Sequence, residues 1–133
     1  MSRTSLIWLA ALGSAALLAG AFAFQYLGGL APCAMCIWQR YPHVLAVLLG
    51  PLALAYPSVA AFGALGVRTS GAIGVFHVGV EQAWWEGPST CTSGDIGGLS
   101  TDALMDQILS APLVRCDEIA WSLAGISMAG WNA

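Results

Sequence analysis

"SLIWLAALGSAALLAGAFAFQYL", residues 5–27, contains no charged side chain. As a helix rising 1.5 Å per residue it extends about 35 Å, enough to cross a hydrocarbon core of about 30 Å. Arg3 ahead of the run and "AFA" at 21–23 imitate a cleaved secretory leader. The run is longer than the roughly 7–15 residues of a leader core, so a first membrane span over 5–27 is the reading adopted. Acylation at Cys33 after cleavage is weaker still, because Pro32 stands where a small residue is expected.

Composition points the same way. Of 133 residues, 58% are apolar and only 8% charged, against about 25% in soluble domains. The chain has no lysine, and its arginines are Arg3, Arg40, Arg68 and Arg115. Such a chain cannot neutralise a phosphate backbone, which excludes nucleic acid as a partner. The carboxylates, Glu81, Glu86, Asp95, Asp102, Asp106, Asp117 and Glu118, all fall between 81 and 118. A lipid-like body therefore carries one acidic, water-facing segment where a soluble partner could dock.

Residues 42–80 form a second apolar block, interrupted only by Arg68. "AYPS" (55–58) divides it, since Pro57 breaks a helix and Ser58 can cap the next. Spans are expected over 42–56, short and carrying Pro51, and over 59–82. Arg68 either snorkels to the membrane surface or faces the interior. The loop 83–120 opens with Trp84 and Trp85, residues suited to an aromatic belt. Within it "STDALMDQILSAP" (100–112) predicts a short helix, capped by Ser100 or Thr101 and ended by Pro112. Leu104, Met105, Ile108 and Leu109 share a face of this helix, which either packs on a small core or, the reading favoured with so little soluble chain to make one, lies on the lipid surface. "WSLAGISMAGWNA" (121–133) reads as the start of a fourth span and covers only about 20 Å. The expected fold is an all-α membrane protein of one domain, 1–133: a four-transmembrane-helix bundle, its fourth helix truncated, with a loop carrying a short interfacial helix.

Segments 28–41 and 83–120 follow the first and third spans, so they share one side of the membrane. Cys33, Cys36, Cys91 and Cys116 therefore share a compartment. Arginine counting does not orient the chain, but paired cysteines persist on the oxidising side. A zinc site is disfavoured: the second pair is separated by 24 residues, and neither histidine is near either pair in sequence. No metal is expected. A Cys91–Cys116 disulfide could be a loop-closing staple, whereas Cys33–Cys36 closes almost no loop and suits exchange chemistry. In "PCAMCIWQRYP" (32–42), a helix beginning near Cys36 puts Arg40 one turn on, where it would stabilise a Cys36 thiolate and attract a carbonyl oxygen. An arginine that merely anchors the helix end is the plainer alternative.

"PCAMCIWQRYPH", "HVGVEQAWWEGPSTC" and "APLVRCDEIAWSLAGISMAGWN" together resemble the disulfide bond formation protein B (DsbB) family, over nearly the whole chain. The resemblance implies an inner-membrane, four-helix oxidoreductase with its cysteine loops in the periplasm. Such an enzyme reoxidises a periplasmic thioredoxin-like oxidase of the DsbA kind and passes the electrons to ubiquinone or menaquinone. By position, Cys33 and Cys36 would be the quinone-linked pair, with Cys36 nearest the quinone and Arg40 assisting. Cys91 and Cys116 would be the shuttle pair, with Cys91 taking the partner's attack. His77 would be a quinone neighbour or proton carrier, or else a buried histidine bonded to a backbone carbonyl, with Glu81 as its possible partner. His43 is expected at the interface. The early stop of the fourth helix and the short second helix depart from the family pattern. A redox bundle of the vitamin K epoxide reductase type and a non-enzymatic membrane protein with structural disulfides are the alternatives.

Overall fold

The computed structural model describes residues 1–89, 91, 98–110 and 114–133. Three long helices, α1 (Arg3–Tyr26), α2 (Ala34–Ala55) and α3 (Val59–Glu81), pack side by side. After them come a surface helix α4 (Thr101–Ser110), a hairpin of β1 (Ser122–Leu123) and β2 (Ile126–Ser127), and a short helix α5 (Met128–Asn132). α1 and α3 are long and apolar enough to cross a membrane.

The distribution of side chains inverts that of a soluble domain. Leu9, Leu12, Leu48, Phe62 and Leu65 are exposed, whereas Ser14, Gln39, His43, Ser70 and His77 are buried. A lipid solvent explains both: apolar surface costs nothing there, and polar groups must find partners inside. Arg68 lies on the exposed side of α3.

Small residues set how closely the helices approach. A Cβ on Gly50 of α2 would come within 2.6 Å of the Ala11 side chain of α1. One on Gly74 of α3 would sit 3.1 Å from the carbonyl oxygen of Ala129, so α5 rests directly on α3. Arg3 ties the open end of α1 to α2 by donating to the Ala53 carbonyl at 2.5 Å, satisfying an end-of-helix acceptor.

Several boundaries differ from the sequence expectation. The segment expected as loop up to residue 41 is already helix from Ala34, because Cys33 serves as N-cap and its sulfur accepts from the Cys36 amide at 3.3 Å. α2 then continues through both Pro42 and Pro51, a disruption that packed neighbours offset in a bundle. Pro57 follows the end of α2, but Ser58 makes no side-chain cap bond to α3. Residues 121–127 are not helical. Ala124 and Gly125 both have positive φ (53° and 79°), the two-residue turn that matches the twist of a hairpin, and helix begins only at Met128. α4 forms where expected, with Ser100 Oγ accepting from Ala103 N at 3.3 Å. Its Met105, Ile108 and Leu109 are exposed. The expected stop at Pro112 lies outside the described residues, as does Asp95.

Candidate functional site

The N-terminal end of α2 presents Cys33 and Cys36 on one turn, and the last turns of α3 bring His77 beside them. All four cysteines stand as free thiols, with Cys33, Cys91 and Cys116 buried. Cys33 donates to the Cys36 sulfur at 3.0 Å. The Cys116 amide donates to the Cys91 carbonyl at 2.9 Å. Met35, with no exposed surface, packs with Val80 among Cys33, Cys91 and Cys116. The two cysteine pairs, far apart in sequence, thus form one cluster.

The electrostatics of the loop thiols follow from this packing. The hydrogen bond Cys33 donates to Cys36, together with burial, pushes the Cys33 thiol up to about 12. Burial and the neighbouring Cys91 thiol raise Cys116 as well. As dithiols, Cys33 and Cys116 are therefore held protonated.

His77 is 2% exposed and sits at the join between the pairs. Its Nε2 lies 3.6 Å from Cys33 Sγ and 3.1 Å from the Cys116 carbonyl oxygen, and its Nδ1 lies 2.9 Å from Gln39 Nε2. Glu81 accepts from Ser127 Oγ, so its hydrogen bond runs to β2. Cys33 Sγ, Cys116 Sγ and a His77 ring nitrogen fall within 4.8 Å of one another, a spacing that could also hold a soft metal ion. Sequence distance concealed this cluster, because His77 is 44 positions from Cys33.

Arg40 follows Cys36 by one turn of α2. It donates to Gln25 Oε1 at 2.5 Å, and its guanidinium carbon stands 5.0 Å from the centre of the Phe22 ring. Its Nε is buried with no hydrogen-bond partner among the described residues. Cys36 and Arg40, with Gln39, His43 and Asn132, line a groove of about 290 Å³ whose remaining wall is apolar, from α1, Trp121 and the C-terminal segment. His77 does not line this groove; it borders a smaller space of about 40 Å³ shared with Cys33, Cys36 and Arg40.

Sequence reasoning missed three members of this region. His43, expected at the interface, is buried within α2, 3.0 Å from Ser14 Oγ and 2.6 Å from Asn132 Oδ1. Gln39 and Asn132 join each other at 2.7 Å. The available signal was chemical: uncharged polar side chains inside apolar helices must find internal partners.

Comparison with known proteins identifies the family. The model of the family "Disulfide bond formation protein DsbB" matches residues 3–133. Disulfide bond formation protein B 2 of Pseudomonas aeruginosa is 31% identical, covering 96% of this chain and 80% of that protein. Disulfide bond formation protein B of Methylococcus capsulatus is 35% identical over 88% of this chain and 77% of its own, and that of Verminephrobacter eiseniae 33% over 93% and 74%. No solved structure gives a significant match. With a family match over almost its full length, this mostly helical chain belongs to the disulfide bond formation protein DsbB family.

Proposed function

We propose that the protein is a quinone-dependent thiol oxidase of the bacterial inner membrane. On this reading it reoxidises a periplasmic, thioredoxin-like dithiol partner of the DsbA kind. The observation that carries the proposal is the meeting of the two cysteine pairs at Cys33 and Cys116, with Cys36 turned toward an apolar groove. A soluble partner and a lipid-soluble acceptor cannot easily meet at one thiol pair, and two pairs in contact resolve that conflict.

In the oxidised enzyme a partner thiolate attacks Cys91 Sγ. The new sulfur–sulfur bond forms as the Cys91–Cys116 bond breaks, and Cys116 leaves as a thiolate. Cys116 then attacks Cys33 Sγ; the Cys33–Cys36 bond breaks and Cys36 leaves carrying the electron pair. The partner's second thiol, deprotonated, attacks its own sulfur in the mixed disulfide and releases Cys91. Cys91 can then attack Cys116, restoring the shuttle disulfide and leaving Cys33 reduced. The sum is one dithiol oxidised on the partner and one reduced pair, Cys33 and Cys36, in the membrane protein.

The groove fits a quinone head. Its walls are apolar, and the orphaned Arg40 Nε offers an unspent donor beside Cys36, suited to a carbonyl oxygen. Ubiquinone or menaquinone, when bound, supplies a two-electron, two-proton acceptor. Arg40 would hold the carbonyl, Cys36 would face it, and Trp121 and Leu17 would exclude water. The same reading takes α5 as the beginning of a fourth span in a four-helix bundle, and α4 as a helix resting its exposed apolar residues on lipid. Both cysteine segments then face the periplasm.

The test is turnover. Purified protein in detergent receives a reduced thioredoxin-like dithiol protein and ubiquinone-1, and quinone absorbance is followed. Wild type is expected to turn over, and Cys36→Ser and Cys91→Ser to fail. A folded wild type that leaves the quinone oxidised overturns the proposal in favour of a non-enzymatic membrane protein.

A further inference from the structure

The buried amides between His43 and His77 have orientations that can be fixed from a single carbonyl. One amide group of Asn132 lies 3.1 Å from the backbone oxygen of Ser70. A carbonyl oxygen only accepts, so the Asn132 group facing it is the NH2. That NH2 also donates to Gln39 Oε1 at 2.7 Å, which turns the Gln39 NH2 toward His77. Gln39 Nε2 then donates to His77 Nδ1 at 2.9 Å, so that nitrogen is an acceptor and a neutral ring carries its proton on Nε2. His77 Nε2–H is left facing Cys33 Sγ at 3.6 Å and the Cys116 carbonyl at 3.1 Å. Cys33 in turn donates to Cys36 at 3.0 Å.

Every donor in this series points the same way. From Asn132 through Gln39, His77 and Cys33, the hydrogen bonds run toward the Cys36 sulfur. The other amide end is used as well: Asn132 Oδ1 accepts from His43 Nε2 at 2.6 Å, so His43 carries its proton on Nε2 and its Nδ1 accepts from Ser14 Oγ at 3.0 Å. We propose that Asn132 is a positioning residue that, acting through Gln39, keeps His77 Nδ1 an acceptor and so, with the Cys116 carbonyl on Nε2–H, directs a one-way chain of hydrogen-bond donors onto the Cys36 thiolate.

Aligned hydrogen bonds in a low-dielectric interior polarise one another, which makes such a chain an effective support for charge at its end. It gives Cys36 a source of stabilisation besides Arg40. It also has a cost for metal chemistry, since a His77 ring protonated on Nε2 has no lone pair there for an ion between Cys33 and Cys116. The importance of a thiolate at Cys36 rests on the redox reading above; the tautomer rests on hydrogen-bond geometry alone.

The experiment uses the full chain, reduced, in detergent, with 15N-labelled histidine. The sequence holds two histidines, so a His43→Gln variant assigns both rings. His77 is expected as the Nε2–H tautomer in wild type. In Asn132→Asp a carboxylate faces Gln39, its amide turns over, and His77 takes up a proton on Nδ1 while Nε2–H stays on the Cys116 carbonyl. As a second variant, neutral and close in shape, Gln39→Met breaks the chain without adding charge. Iodoacetamide labelling of Cys36 at fixed pH is expected to slow roughly twofold, the scale of the strengthening that aligned bonds lend the last one in the chain. A wild-type His77 protonated on Nδ1, a folded Asn132→Asp protein with His77 Nδ1 still unprotonated, or an unchanged Gln39→Met labelling rate would each overturn the proposal. None of these readouts requires quinone or partner. Turnover with the wrong tautomer therefore sinks only the chain, and the right tautomer without turnover sinks only the oxidase reading.

Discussion

Cys33 Sγ and His77 Nε2 lie 3.6 Å apart, although one caps the start of α2 and the other is 44 positions later, near the end of α3. The contact exists because α2 and α3 run antiparallel from the tight turn at Pro57. The N-terminal end of one helix thereby meets the C-terminal end of the other. It places a ring nitrogen at the seam between the two cysteine pairs.

Labelling of Cys33 in the reduced protein should be strongly alkaline. Its thiol is pushed from 9.0 to about 12 by the bond it donates to Cys36 and by burial. The protonated form is the one the fold favours, so this contribution to stability is complete below pH 9 and is lost as pH rises toward 12. Cys36→Ala removes the acceptor and should bring the onset of Cys33 alkylation to lower pH, as followed by mass spectrometry.

Met35→Ala should be costly. The side chain is fully buried against Cys33, Cys91 and Cys116, and truncating it leaves a cavity among all three. A loss of about 2–5 kcal/mol is expected. Thermal unfolding in detergent measures the loss. Slower sulfur exchange between the pairs should accompany it, because Met35 helps hold their spacing.

Arg40→Met should weaken binding of ubiquinone-1 roughly tenfold to a hundredfold, the scale of a hydrogen bond to a charged group at about 1.5–3 kcal/mol. Trp121 and Trp131 line the groove, so quenching of tryptophan fluorescence reads the affinity directly. Arg40→Lys should recover only part of it, since an ammonium cannot reproduce the planar fork that also reaches Gln25.

Acid should loosen the segment that carries Cys116. Arg115 donates from Nε to Asp117 Oδ1 at 2.9 Å and pairs with its second oxygen, holding that carboxyl below its ordinary 3.8. The favoured form is the ionised one, so the contribution is present above pH 3.8 and is lost as pH falls through the lower folded value. Hydrogen exchange at the Cys116 amide should rise over that acid range in wild type. In Asp117→Asn that rise should be absent.

Much of the bundle was legible because long uncharged runs have few alternatives. α1 and α3 announce themselves by hydropathy, and α4 by its cap and apolar face. The start of α2 was not legible, since cysteine is not among the usual capping residues and Pro42 imitates a helix beginning. The hairpin was hidden by Ala124, which occupies a left-handed position where asparagine or aspartate would have given warning. At the site, cysteine spacing and Arg40 could be read from local sequence. His43 could not, because its partners Ser14 and Asn132 are 29 and 89 positions away, and only the packed helices join them.

The cap on α2 gives the protein's redox chemistry a mechanical side. The same Cys33 sulfur that would exchange partners also holds one of the free amides in the first turn of the helix, that of Cys36. Each exchange gives the Cys33 sulfur a new bonding partner and a new direction for its lone pairs, and so tightens or slackens the opening turn on which Cys36 rides. Oxidation state and helix fraying become two readings of one gauge, set by which atom Cys33 is bonded to at that moment.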